Sequence, residues 1–221
     1  ISLENTNSFG NNTNIYVLDE VATNYKNAAI WSDIKDRIYP KGFLTVTVPL
    51  IAITNSPALL PALDALEKEN GEYKITALTN LKIVGTMNGY DILMIRNKMP
   101  NLRHLDLSEA EIIDNDGGFQ YYQGYNTRRK AITPYMFYGL TNLKTVYLPE
   151  DIETIEERAF SGSGITSMVI NEGVKSIGYY AFAECNNLSE LTIGRGLEYI
   201  YSSAFQSCGQ LRELVLPTTL K

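Results

Sequence analysis

The stretch "LPEDIETIEERAFSGSGITSMVI" (148–170) is one copy of a unit that repeats along the second half of the chain. It ends in three aliphatic residues at positions i, i+3 and i+5, a triplet that occurs six times. The triplets are Leu78-Leu81-Ile83, Leu102-Leu105-Leu107, Leu143-Val146-Leu148, Ile165-Met168-Ile170, Leu188-Leu191-Ile193 and Leu211-Leu214-Leu216. Their middle residues are spaced 24, 41, 22, 23 and 23 positions apart, so only one interval departs clearly from a common period.

Three further rows keep this period between the triplets. They are Ile152, Val174, Leu197 and Leu220; Ile132, Ile155, Ile177 and Ile200; and Phe137, Phe160, Phe182 and Phe205. A unit this short cannot bury its own apolar face, so neighbouring units must stack into a solenoid. Because alternate residues of each triplet point inward, the pattern predicts coils of 22–23 residues joined by one parallel concave sheet, with the four Phe rings stacked inside.

The period alone is compatible with a leucine-rich solenoid or with a parallel β-helix. The Phe row, and the residue pattern that leads from each Phe to the next aliphatic triplet, distinguish between these two folds. The units "AFAECNNLSELTI" (181–193) and "AFQSCGQLRELVL" (204–216) resemble the BspA-like leucine-rich repeat of bacterial surface proteins, and the resemblance extends over roughly 75–221. It implies an α/β solenoid located outside the cell or at its surface.

The flanking sequence suggests three segments. The stretch "NIYVLDEVATNYKNAAIWSDIKDRIYP" (14–40) resembles the segment that closes a BspA-like array, so we interpret 1–43 as the closing cap of a preceding array. Residues 44–80 contain an alternating strand and then a helix that starts at Ser56-Pro57 and ends at Gly71, which predicts an N-terminal capping helix over the first coil. Residues 81–221 form the array, with an insertion at about 114–130 in the long interval.

The insertion contains "GGFQYYQGYNTRRK" (117–130), which has no hydrophobic period. Tyr and Arg dominate the energetics of protein interfaces, and insertions in solenoids often lie on the binding side. Its candidate ligand-binding residues are Tyr121, Tyr122, Tyr125, Arg128 and Arg129. The alternative is a surface excursion, or family architecture that packs over the entry coil. We expect the basic end of the insertion to lie beside acidic residues.

The concave strand face supplies three more candidates, His104, Asp106 and Tyr147, at outward strand positions. His104 is the one histidine in the chain, and we expect it to be solvated there rather than part of a catalytic site. Asp114 and Asp116 lack the Gly and distal Glu of a calcium loop. The sequence therefore predicts no catalytic residue, no metal site and no cofactor.

Charge and cysteine content restrict the function further. A net charge of −6 argues against a nucleic-acid or anionic-membrane surface, and no run is long enough to cross a membrane. Cys185 and Cys208 occupy the same place in successive units, so their Cβ vectors run parallel, and we expect free buried thiols.

We therefore interpret the chain as a non-enzymatic binding module of a bacterial cell-surface or secreted protein, acting in adhesion through protein–protein contacts. The resemblance implies a protein ligand such as a host extracellular matrix protein or another bacterial surface protein. One alternative is a polysaccharide-active enzyme on a parallel β-helix, which needs clustered carboxylates and basic residues on one strand face. The other is a rigid spacer domain.

Overall fold

The computed structural model describes residues 15–17, 38–40, 44–48, 59, 75–114 and 127–221. The chain divides into two compact units, residues 1–44 and 45–221. In the first unit, strand β1 (Ile15–Val17) pairs in parallel with β2 (Ile38–Pro40), and Ile15 lies opposite Ile38.

The described strands of the second unit fall into three sheets. The first has the order β3 (Leu44–Val48), β4 (Asn80–Met87), β5 (His104–Ile112) and β7 (Thr145–Tyr147). The second contains β6 (Ala131–Ile132), β8 (Thr154–Ile155), β10 (Ser176–Ile177) and β12 (Tyr199–Ile200). The third pairs β9 (Ser167–Ile170) with β11 (Glu190–Ile193). Every pairing for which the structure gives a register is parallel.

The aliphatic triplets do not form the one continuous sheet that the sequence predicted. The first three belong to β4, β5 and β7, and the next two to β9 and β11. One backbone hydrogen bond, from Thr166 N to Lys144 O at 2.9 Å, continues across the break between β7 and β9. The last triplet, Leu211-Leu214-Leu216, forms no strand.

The Phe row is confirmed as an interior ladder. Adjacent ring centroids lie 5.1 Å (Phe137–Phe160), 5.1 Å (Phe160–Phe182) and 5.4 Å (Phe182–Phe205) apart, and the rings are stacked. The first three rings are fully buried, whereas Phe205 is half-buried in the last coil. Backbone bonds reinforce the ladder, since the N–H of Phe160 donates to Ala181 O at 2.8 Å and that of Phe182 to Ala204 O at 2.8 Å.

Each turn around a Phe uses two left-handed backbone positions, two residues before and two residues after the ring. Before the ring they are Tyr135, Arg158, Tyr180 and Ser203, with φ between 51° and 60°. After it they are Gly139, Gly162, Glu184 and Ser207, with φ between 60° and 68°. Because the same strained geometry recurs in all four coils, it belongs to the repeat and not to any one side chain.

Helix α1 (Gly89–Lys98) packs its apolar face inward, and Ile92, Ile95 and Met99 are buried. The helix begins two residues before Asp91 because Asn88 is its N-cap in a capping box with that residue. Asp91 Oδ1 also accepts the Leu59 N–H at 2.8 Å. Leu59 is helical and buried, but the rest of the predicted capping helix lies outside the described residues.

Cys185 and Cys208 are free thiols that make equivalent contacts. The Cys185 Sγ–H donates to Phe160 O at 3.1 Å, and that of Cys208 donates to Phe182 O at 3.1 Å. Each thiol therefore points to the backbone of the preceding coil. Burial raises the pKa of Cys185 to about 11, although a hydrogen bond with Ser163 acts in the opposite direction.

Candidate functional site

The tyrosines of the insertion, Tyr121, Tyr122 and Tyr125, lie outside the described residues. The two ends of the insertion are described and meet. The buried Thr127 hydroxyl donates to Ile113 O at 2.8 Å, and the Arg129 N–H donates to Asp114 Oδ1 at 2.8 Å. The insertion therefore leaves and re-enters the coil at one place.

The basic end of the insertion is paired with carboxylates, which confirms that it lies beside acidic residues. Arg128 forms an ion pair with Glu156, and Arg129 forms one with Glu111. Lys130 Nζ lies 2.6 Å from Glu153, whose hydrogen bond and charge raise the pKa of Lys130. Arg128 and Arg129 remain more than half exposed, so a ligand could contact them only in competition with these exposed pairs.

The second group of candidates, His104, Asp106 and Tyr147, is brought together on β5 and β7. Asp106 is the register partner of Tyr147, and His104 Nδ1 lies 2.8 Å from Thr145 Oγ1. The expectation that His104 and Asp106 are solvated is wrong for Asp106, which is fully buried, and His104 is half-buried. The Asp106 carboxylate accepts bonds from Ser108, which offset the cost of its burial. This face is therefore less accessible than strand alternation suggested.

Exposed tyrosines instead cluster on the last two coils, next to β10 and β12. Tyr179, Tyr199 and Tyr201 are 50%, 42% and 43% exposed. With the adjacent Tyr180 and Arg158 they form a surface that we call the tyrosine patch. The Tyr201 N–H donates to Ile177 O at 2.9 Å, so the neighbouring coil fixes the backbone of Tyr201.

The side chains of the tyrosine patch pack against one another and against cations. The Tyr179 and Tyr201 ring centroids lie 5.0 Å apart at an interplanar angle of 43°. Arg158 Cζ lies 4.4 Å from the centre of the Tyr180 ring, within the range of a cation–π interaction. Tyr179, Tyr180 and Tyr201 therefore each have a neighbouring side chain to pack against.

A charged pair borders the tyrosine patch. Lys221 Nζ lies 2.5 Å from Glu198 Oε2 and 5.2 Å from the centre of the Tyr199 ring. The hydrogen bond and charge of Lys221 lower the pKa of Glu198, and those of Glu198 raise the pKa of Lys221. At neutral pH both groups are charged, so the pair adds polar character to the rim without net charge.

Sequence reasoning missed the tyrosine patch. Tyr179 and Tyr201 are 22 residues apart, but two tyrosines at that spacing do not make a row comparable to the four-residue rows of Phe and Ile. The available signal was the local density of Tyr in "IGYYAF" (177–182) and "YIYSSAF" (199–205) within a chain that has 15 tyrosines.

Three other features of the described residues bear on function. Within 75–114 and 127–221 there is no group of three His, Cys, Asp or Glu side chains placed to hold a metal ion. A cavity of about 260 Å³ lies between the end of α1 and residues 139–143. Arg96 lines it, but its guanidinium already donates to Tyr138 O at 2.9 Å. No helix in the described part of the chain is long and apolar enough to cross a membrane.

Comparison with known proteins agrees with the repeat architecture. Residues 125–221 match the family model "BspA type Leucine rich repeat region" in six copies. Among solved structures, a leucine-rich repeat protein from Bacteroides ovatus ATCC 8483 is similar, with 23% sequence identity and a TM-score of 0.44. The match covers 80% of this chain and 41% of that one, so this chain spans less than half of that protein. No curated protein matches. Over residues 125–221 the chain is therefore similar to BspA-type leucine-rich repeat regions.

Proposed function

We propose that this chain is a non-enzymatic protein-binding module of a bacterial cell-surface or secreted protein, and that the tyrosine patch is its principal contact surface. The observation that carries the proposal is the clustering of three tyrosines, each about 40–50% exposed, on two adjacent coils. Large, partly exposed aromatic side chains beside an Arg are the residue types that dominate binding energy at interfaces.

The packing within the tyrosine patch favours binding, because its side chains would lose little conformational entropy when a partner binds. Tyr provides a large amphipathic contact area with only two side-chain torsions to fix. Tyr179 and Tyr201 already pack together, and Arg158 already lies over Tyr180. Side chains held in place before association lose less conformational entropy when a partner binds.

Similarity to the BspA-type family supports the partner class that we propose. BspA-type repeats are protein-interaction scaffolds, and we extend this to adhesion, with a host extracellular matrix protein or another bacterial surface protein as ligand. The insertion, with Tyr121, Tyr122 and Tyr125, and the face around Tyr147 are secondary contact surfaces in this proposal.

The test is a surface plasmon resonance screen of the intact chain against immobilised fibronectin, fibrinogen and purified bacterial surface proteins. For a ligand that binds, the double variant Tyr179→Ala/Tyr201→Ala should weaken Kd by at least about tenfold, since two such side chains contribute on the order of 1–2 kcal/mol each. The matched control is Tyr135→Ala/Tyr138→Ala, a second tyrosine pair with centroids 5.4 Å apart but half-buried, which should change Kd by less than about twofold.

If both double variants lose the same amount of binding affinity and their melting curves are unchanged, the tyrosine patch is not the principal contact surface. Absence of binding across the whole panel would contradict the adhesion function. Release of unsaturated or reducing sugar from acidic polysaccharides by the intact chain would favour the polysaccharide-active enzyme instead.

A further inference from the structure

Lys82 is among the largest fully buried side chains of the described residues, and it is charged in its ordinary state. It lies on β4 directly opposite Asp106 of β5, with Nζ 3.8 Å from Asp106 Oδ2. The two side chains are only 2% and 0% exposed. Removing an amine and a carboxylate from water is costly, and an ion pair alone often fails to recover that cost.

A β-bulge adds a third group to this pair. Lys82 pairs with Asp106, but Val84 pairs with Glu109, so β5 has one extra residue between the two contacts. Side chains of a strand alternate between faces, and one extra residue reverses the alternation beyond it. Glu109 therefore lies on the same face as Lys82 and Asp106, and its Oε1 is 2.5 Å from Lys82 Nζ.

The Asp106 carboxylate is held in a fixed and polarised orientation. Its Oδ1 accepts the Ser108 N–H at 2.9 Å and the Ser108 hydroxyl at 2.6 Å. Two donors on one oxygen stabilise negative charge that develops there when a nucleophile attacks the carboxyl carbon. The other oxygen, Oδ2, faces the lysine.

We propose that Lys82 and Asp106 form an intramolecular amide (isopeptide) bond, with Glu109 as the proton-transfer group. Glu109 transfers one proton from the Lys82 ammonium to Asp106 Oδ2, and the neutral Nζ then attacks Cγ of the resulting carboxylic acid. A C–N bond forms, and the bond from Cγ to Oδ2 breaks. Of the three protons on the ammonium, two pass through Glu109 to the departing oxygen, which leaves as water, and one stays on the amide nitrogen.

The amide is better accommodated in this buried site than the separate ammonium and carboxylate groups are. A neutral amide replaces two buried charges, and Ser108 remains hydrogen-bonded to Oδ1 as the amide oxygen. The bond would join neighbouring parallel strands at the entry of the array. It requires no cofactor or oxidant, and Glu109, which is about half exposed, can exchange protons with solvent.

The experiment is intact-protein mass spectrometry of the denatured full chain, followed by tandem mass spectrometry of its proteolytic peptides. The expected mass is lower than the sequence mass by one water molecule, with a branched peptide joining Lys82 to Asp106. A wild-type chain at its full sequence mass overturns the proposal, and this result depends on no variant.

Three variants separate this bond from other dehydrations. Lys82→Arg keeps the charge but removes the nucleophile, so it should have its full mass; loss of water in this variant overturns the assignment. Asp106→Asn should form the same amide with loss of ammonia, and failure to do so in a folded variant counts against attack at this carbon. Glu109→Gln should form the bond at least tenfold more slowly, and an unchanged rate overturns the role of Glu109.

Discussion

At the scale of single residues, the turns around the Phe ladder show how the repeat tolerates strain. Gly162 has a φ of 68°, and the nearest atoms to an added Cβ would be 3.9 Å away, so a side chain there meets only the backbone penalty. Glu184 occupies the equivalent place in the next coil with a φ of 60°. The free-energy cost of a side chain in the left-handed region can therefore be measured twice, by adding a side chain at Gly162 and by removing one at Glu184.

Gly162→Ala should lower the free energy of unfolding by about 1 kcal/mol, because L-residues disfavour the left-handed region. Glu184→Gly should raise it by a few tenths to about 1 kcal/mol, since relief of strain exceeds the entropy that Gly adds to the unfolded chain. Urea denaturation of both variants measures the difference. If the free energy of unfolding changes in the same direction in both variants, the left-handed turn geometry does not determine it.

The buried Cys185 thiol predicts a pH dependence of stability. Its folded pKa of about 11 lies above the ordinary cysteine value of about 8.5, so the unfolded chain loses this proton first. The contribution is fully present below about pH 8.5 and is lost as pH rises to about 11, by about 3 kcal/mol in total. The measurement is the free energy of unfolding at several pH values in that window, for wild type and Cys185→Ala. The variant should have a shallower slope, and identical slopes would contradict the assignment.

At the scale of elements, the Phe ladder is the main source of cohesion between coils. Phe182 is fully buried between Phe160 and Phe205, whereas Phe205 has a described ring on one side only. Phe182→Ala should lower the free energy of unfolding by about 3–5 kcal/mol, because neighbouring coils cannot close over the cavity. Phe205→Ala is the matched control and should cost clearly less. Thermal and urea denaturation measure the stability of both variants. Equal losses of unfolding free energy would mean that the rings do not act as a ladder.

The insertion is predicted to be dispensable for folding. Thr127 and Arg129 are anchored to Ile113 and Asp114, so the coil is closed at the base of the insertion. Replacing residues 115–126 with a short Gly-Ser linker should therefore shift Tm by less than about 4 °C. Differential scanning calorimetry tests this, with Phe182→Ala as a destabilised reference. If the shortened chain does not fold, the insertion is part of the scaffold and its secondary role in binding fails.

The sequence predicted the elements that repeat and missed the features that occur once. The Phe row and the triplets share one period, so the sequence located the Phe ladder and the five triplets that form parallel strands, but not their division into two sheets. The bulge between Lys82 and Glu109 has no sequence signature, and strict alternation wrongly placed Asp106 in solvent. The tyrosine patch was also missed, because Tyr179 and Tyr201 meet only when two coils stack with their particular turn geometry.

At the scale of the whole molecule, the central claim is that the coils of residues 131–221 stack in parallel, and the binding surface depends on it. The most direct test is residue-resolved hydrogen–deuterium exchange of the Phe amides. Phe137, Phe160 and Phe182 each donate to the following coil, at 2.7 to 2.8 Å, whereas the described residues supply no such backbone bond to the Phe205 N–H. The account predicts that the first three amides exchange at least about a hundredfold more slowly than Phe205, since exchange requires opening of the stack. Exchange of Phe160 and Phe182 as fast as Phe205 would contradict it.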